Sequence, residues 1–156
     1  MRYPRDLLVS KGIDPNSLPE DDEVPDRVPA LYTTELPGDL TAFDTIQLSA
    51  EGTDLDVRLI VVGAVDQTPS MLYVIDPGTG EVLQFDPSSV AVRGVNSNYR
   101  LFVACLGRIA WAMETANTEE VGRVLNAGMR YTLRAVDDTA FEEGAWWPLV
   151  FERFES

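Results

Sequence analysis

A chain of 156 residues with 45% apolar content is long enough to bury one proper core, and too apolar to be a disordered segment. Its 26 Asp and Glu against 12 Lys and Arg leave a net charge of −14, a field that repels phosphate backbones and argues against direct nucleic-acid binding. It has no histidine, which removes the commonest general base, the usual metal ligand and the third member of most catalytic triads.

The opening MRYPRDLLVSKGIDP has no apolar stretch of signal-peptide length. Leu7, Leu8 and Val9 fit a short helix stopped at Gly12. Pro15, Pro19, Pro25, Pro29 and Pro37 then follow too closely for long regular elements, so residues 1 to about 40 read as a Pro-rich, acidic and largely irregular segment. Within it runs Glu20-Asp21-Asp22-Glu23, followed by Asp26. Like charges between prolines make a solvated loop, and the D-x-D-x-D-G spacing of a calcium loop is missing. No metal ligand set is assigned.

Strand patterns come next. Thr45–Leu48 is a short one. Val57–Gly63 is apolar on both faces and ends at a glycine, as a strand buried on both sides does. Met71–Ile75 and Glu81–Phe85 flank Asp76-Pro77-Gly78-Thr79-Gly80, whose proline and glycines are turn chemistry, so the pair is a β-hairpin. The glycines of that loop lie between strands, with no helix N-terminus to help hold a phosphate. Val90–Val92 is a weaker strand.

The C-terminal third is helical. Asn96, Ser97 and Asn98 are residue types that cap helix N-termini. Apolar residues then recur at Tyr99, Phe102, Val103, Leu106, Ile109, Ala110 and Met113, one stripe of a helix reaching about Met113. Thr118, with Glu119 and Glu120 behind it, caps a second helix through Val121, Val124, Leu125 and Gly128, weakened by Gly122 and Gly128. Asp137-Asp138-Thr139 looks like a further cap, and residues 144–154 a last helix with Pro148 in its first turn and Trp146, Trp147, Val150, Phe151 and Phe154 in the core. Cys105, the only cysteine, sits inside the first of these helices as a packing residue, and no disulfide can form within the chain. No apolar run reaches the roughly 18 residues of a membrane span. Together these features suit the cytoplasm.

Loop, then strands, then helices is the order of an α+β protein: an antiparallel-rich sheet of about five or six strands with helices packed against it. The expected organisation is one domain over residues 1–156. Without histidine, catalysis would need a carboxylate pair converging in a cleft, and no catalytic residue is assigned.

In this order the chain resembles the SUKH superfamily, the Smi1/Knr4-like proteins, and is most similar to its SUKH-4 immunity branch. The residues that carry the resemblance are Leu18-Pro19, the strand end Ile60-Val61-Val62-Gly63, the hairpin from Tyr73 to Val82, the helix entry Val95-Asn96-Ser97-Asn98-Tyr99-Arg100-Leu101-Phe102, and the region from Asp137 to Trp147. They span roughly residues 18 to 152, and Asn98 stands where that branch usually has serine. The resemblance implies a SUKH fold and a cytoplasmic, bacterial immunity protein: a non-enzymatic binder, without cofactor, that neutralises a cognate toxin domain of nuclease or nucleic-acid deaminase type. The alternative is a Smi1/Knr4-like regulatory interaction module with no toxin partner. The negative charge would favour a basic toxin. The expected partner-binding residues are Asp21, Asp22, Glu23 and Asp26, with no nucleic acid and no membrane as partner.

Overall fold

A computed structural model describes residues 1–49, 52, 56–86 and 91–154. Seven strands form one sheet: β1 (Arg27–Val28), β2 (Tyr32–Thr33), β3 (Thr45–Ser49), β4 (Asp56–Val65), β5 (Thr68–Ile75), β6 (Val82–Asp86) and β7 (Ala91–Asn96). Every pairing is antiparallel, in the order β1-β2-β4-β5-β6-β7. The first half of β4 also pairs with β3, so β4 divides one side between two partners. The described residues also form four α-helices: α1 (Arg5–Ser10), α2 (Tyr99–Thr115), α3 (Ala127–Val136) and α4 (Trp146–Phe154). This is the α+β architecture expected, with seven strands against the five or six expected: β1 and β2 are two residues each and lie inside the proline-rich segment.

Alternation sorts the strand residues onto two faces. Ile60, Val62, Tyr73, Ile75, Val82 and Val95 turn toward the helices and join the main core. Onto them α2 lays Phe102, Cys105, Leu106, Ile109 and Met113, and α4 lays Trp146, Trp147, Val150 and Phe151. Leu59, Val61, Ala64, Leu72 and Val74 turn the other way and form a smaller core, covered by Leu36 and Leu40 from the loop before β3 and by Ile46 and Leu83. From Leu59 onward β4 is therefore buried on both faces, as its unbroken apolar run implies.

That run does not stop at Gly63. The strand continues to Val65, and the glycine has another reason. A Cβ there would stand 2.3 Å from the Tyr32 ring and 2.9 Å from the Thr33 carbonyl oxygen. The Tyr32 ring occupies that space and donates its hydroxyl to the Val62 carbonyl at 2.6 Å. A local shift in the pairing of β4 with β5 falls at the same place.

Hairpin β5–β6 closes as its turn sequence requires, with Ile75 opposite Val82 and Gly80 at φ +82°. Strand β7 extends further toward the helix than expected, to Asn96; Val90, placed in it by sequence, lies outside the described residues. The helix that Thr118 seemed to start is interrupted. Residues Val121–Arg123 make a single 3₁₀ turn, and α3 begins only at Ala127, capped by the Asn126 side chain on the Met129 N–H at 2.9 Å. Thr118 instead holds the Glu120 N–H in a local turn at 3.0 Å. A further 3₁₀ turn, Asp138–Phe141, leads into α4.

Candidate partner-binding surface

The four carboxylates singled out by sequence lie on one exposed segment before β1. The segment is anchored rather than loose. Val24 is buried and its N–H donates to the Met1 carbonyl at 2.8 Å, while the Tyr3 N–H donates to the Asp22 carbonyl at 3.1 Å. Arg2 reaches the Asp22 carboxylate at 3.4 Å and the Met1 ammonium reaches Glu23 at 3.2 Å. Such exposed pairs contribute little to stability. They do partly neutralise two of the four acids, and leave Asp21 and Asp26 without an ion pair among the described residues. Asp21 is spent locally, accepting from the Glu23 N–H at 3.1 Å.

The stretch Asn96-Ser97-Asn98 separates into distinct tasks. Only Asn98 caps α2, accepting from the Leu101 N–H at 2.9 Å. Asn96 and Ser97 turn instead to Asp137, some forty positions away. Asp137 is 5% exposed, and its carboxylate accepts four hydrogen bonds. One oxygen takes the Ser97 N–H at 2.7 Å and the Asn96 amide at 3.0 Å; the other takes the Ser97 hydroxyl at 2.8 Å and the Thr139 hydroxyl at 2.9 Å. Burial alone would raise its pKa, but the bonds from Ser97, Asn96 and Thr139 outweigh burial and hold it below the ordinary carboxylate value. Asn96 also accepts the Trp147 indole N–H at 2.9 Å. The cluster thus ties the end of β7, the start of α2, the last 3₁₀ turn and α4 together. All four acceptor positions of Asp137 are filled, so it has none left for a ligand. The Cys105 thiol, beneath the Asn96 amide at 3.6 Å, is pushed up to about 12 by burial and stays protonated and unreactive at neutral pH. Among the described residues no group of three or more His, Cys, Asp or Glu is placed to hold a metal ion.

Above this cluster lies an open groove of about 540 Å³. Residues 92–97 form one wall, and Thr139, Ala140 and residues 142–145 the other. Glu81, Glu142 and Glu143 stand exposed along it, and Arg93 is the one basic residue in its lining. Elsewhere two aromatic side chains project into solvent: Trp111 on α2, 68% exposed, and Tyr131 on α3, 78% exposed. Sequence reading singled out neither the aromatics nor the groove. For Trp111 the signal was available: it lies halfway between Ile109 and Met113, about 200° from each around the helix, and so opposite the buried stripe. For the groove there was none, because its walls come from segments that are 40 or more residues apart.

The model of the SUKH-4 immunity protein family matches residues 5–153, nearly the whole chain. The chain belongs to the SUKH-4 immunity protein family. The seven-stranded antiparallel sheet with its packed helices is thus a SUKH fold, and immunity is the role that membership carries. Each segment that bore the resemblance has a place in it: Leu18 in the core, Ile60–Gly63 in the central strand, Tyr73–Val82 across the hairpin, Asn98 capping α2 in place of the usual serine, and Asp137–Trp147 running through the last 3₁₀ turn into α4. An immunity role entails a cognate toxin as partner. Comparison with curated proteins and with solved structures gives no match. Among the described residues no helix of this SUKH-4 protein is long and apolar enough to cross a membrane.

Proposed function

We propose that this SUKH-4 protein acts in the bacterial cytoplasm as a stoichiometric, non-enzymatic antidote that binds a co-encoded toxin domain, a nuclease or nucleic-acid deaminase, and covers its active site. The observation that carries this reading is the net charge of −14 on a member of an immunity family. An enzyme that acts on nucleic acid presents a basic face to phosphate, and an acidic surface is attracted to that same face. Long-range attraction speeds encounter, so association slows as salt screens it. Asp21, Asp22, Glu23 and Asp26 contribute to this field from one anchored segment.

The test is co-expression of the chain with the toxin domain encoded beside its gene, together with stopped-flow association of the two purified proteins across a salt series. Survival of the host and a rate that falls steeply with salt are expected. Neutralising all four residues, as Asp21→Asn, Asp22→Asn, Glu23→Gln and Asp26→Asn, should slow association about tenfold. Death of the host despite ample antidote would sink the reading, and an unchanged rate in the variant would remove those four residues from the encounter surface.

A further inference from the structure

Among the described residues strand β7 ends the sheet, with β6 on one side and no strand on the other. Among the described residues its backbone is hydrogen-bonded to β6 alone. Alternate residues of such a strand direct both N–H and C=O away from the ladder, so β7 offers an unfilled row of donors and acceptors. Proteins ordinarily blunt an edge of this kind with proline, lysine or a covering segment. Over Ala91–Asn96 there is neither proline nor lysine; Arg93 carries the one charge of the strand, and the pairing with β6 shifts register beside Val95. Val92 is 53% exposed, and Gly94 has open space where a side chain would be, with nothing within 4 Å of a Cβ placed there. The space beyond the edge is the groove already described, whose far wall carries Glu142 and Glu143 and whose end carries Glu81. None of the three is in an ion pair among the described residues.

We propose that the free edge of β7 is the docking site for one extended segment of the toxin, which adds to the sheet as a further strand and carries Lys or Arg at every second position. This rests on the antidote reading above and specifies where and how the partner sits. Strand addition supplies affinity through main-chain hydrogen bonds, while side chains of period two supply selectivity. Residues of the added strand that point toward the helix side face Glu142 and Glu143, and basic side chains there meet uncompensated charge. Gly94 presents no side chain and has open space around it, so a second backbone can approach closely there.

The test is hydrogen–deuterium exchange on the full chain, alone and saturated with the catalytically inactivated toxin domain encoded beside its gene. Two variants accompany it: Val92→Lys with Gly94→Lys, which adds like charge along the edge, and Glu142→Gln with Glu143→Gln, on the exposed loop across the groove. In the wild-type complex the outward-facing amides within residues 91–96 should slow at least tenfold. The lysine variant should bind at least thirtyfold more weakly with its melting temperature unchanged, and the glutamine variant about fivefold more weakly with a shallower salt dependence. A complex that forms and protects the host while those amides exchange at the free rate, or that tolerates both variants, overturns strand addition and leaves the antidote reading standing. A toxin domain that neither binds nor is neutralised overturns both.

Discussion

Two residues show how much a single position can depend on distant neighbours. Asp137 reads in sequence as one more helix cap, yet its side chain caps nothing; it accepts from Asn96 and Ser97, 41 and 40 positions earlier. No local pattern separates a cap from a long-range acceptor, since both need the same short polar side chain. Asp137→Asn keeps the shape but turns an acceptor into a donor facing other donors. It should lower unfolding stability by about 1–3 kcal/mol, measured by urea titration at pH 7. The native carboxyl titrates below its unfolded value, so its contribution is complete above about pH 4 and is lost as pH falls through the native pKa. The variant should accordingly show a flatter loss of stability on acidification than the wild type. Gly63 makes the same point with a different chemistry: a glycine inside a buried strand suggested a strand end, whereas it leaves room for the Tyr32 ring. Gly63→Ala should cost about 1–3 kcal/mol through displacement of Tyr32, and Tyr32→Ala placed on top of it should cost less than its own single effect.

At the scale of elements, the legible parts were those with a long, regular period or a demanding turn. Helix α2 announced itself by about four turns of apolar spacing, and β5–β6 by alternation around a proline–glycine turn. Strands β1 and β2 were hidden because two residues cannot display a period, and because the prolines around them signal irregular chain. The start of α3 was misplaced because Thr118 and Asn126 are both plausible caps; Gly122 between them and Gly128 just after Asn126 weaken the region without locating the break. The structure gives the cap to Asn126. Asn126→Ala should destabilise the protein by about 1 kcal/mol and raise amide exchange in the first turn of α3, whereas Thr118→Ala should leave that turn unchanged. Of the candidate surface, the acidic run was legible as a solvated segment. The groove was not, since β7 and the loop before α4 meet only after the sheet is built and α4 has packed on it.

Taken as a whole, the molecule covers one face of its sheet with helices and part of the other with the loop bearing Leu36 and Leu40. Such a sheet meets other molecules chiefly through its rims and its loops. That has a cost in solution. An open strand edge is also a template for a second copy of the same chain, and at high concentration such contacts grow into aggregates. What opposes this is mutual repulsion between molecules that each carry −14. In dilute buffer the repulsion reaches across tens of ångströms, but at 1 M salt it extends only about 3 Å. Static light scattering at rising salt should therefore report reversible self-association of the wild-type chain, and its absence in the Gly94→Lys variant. On this view the acidity that draws in a basic partner also sets the concentration at which the protein can be stored without finding itself.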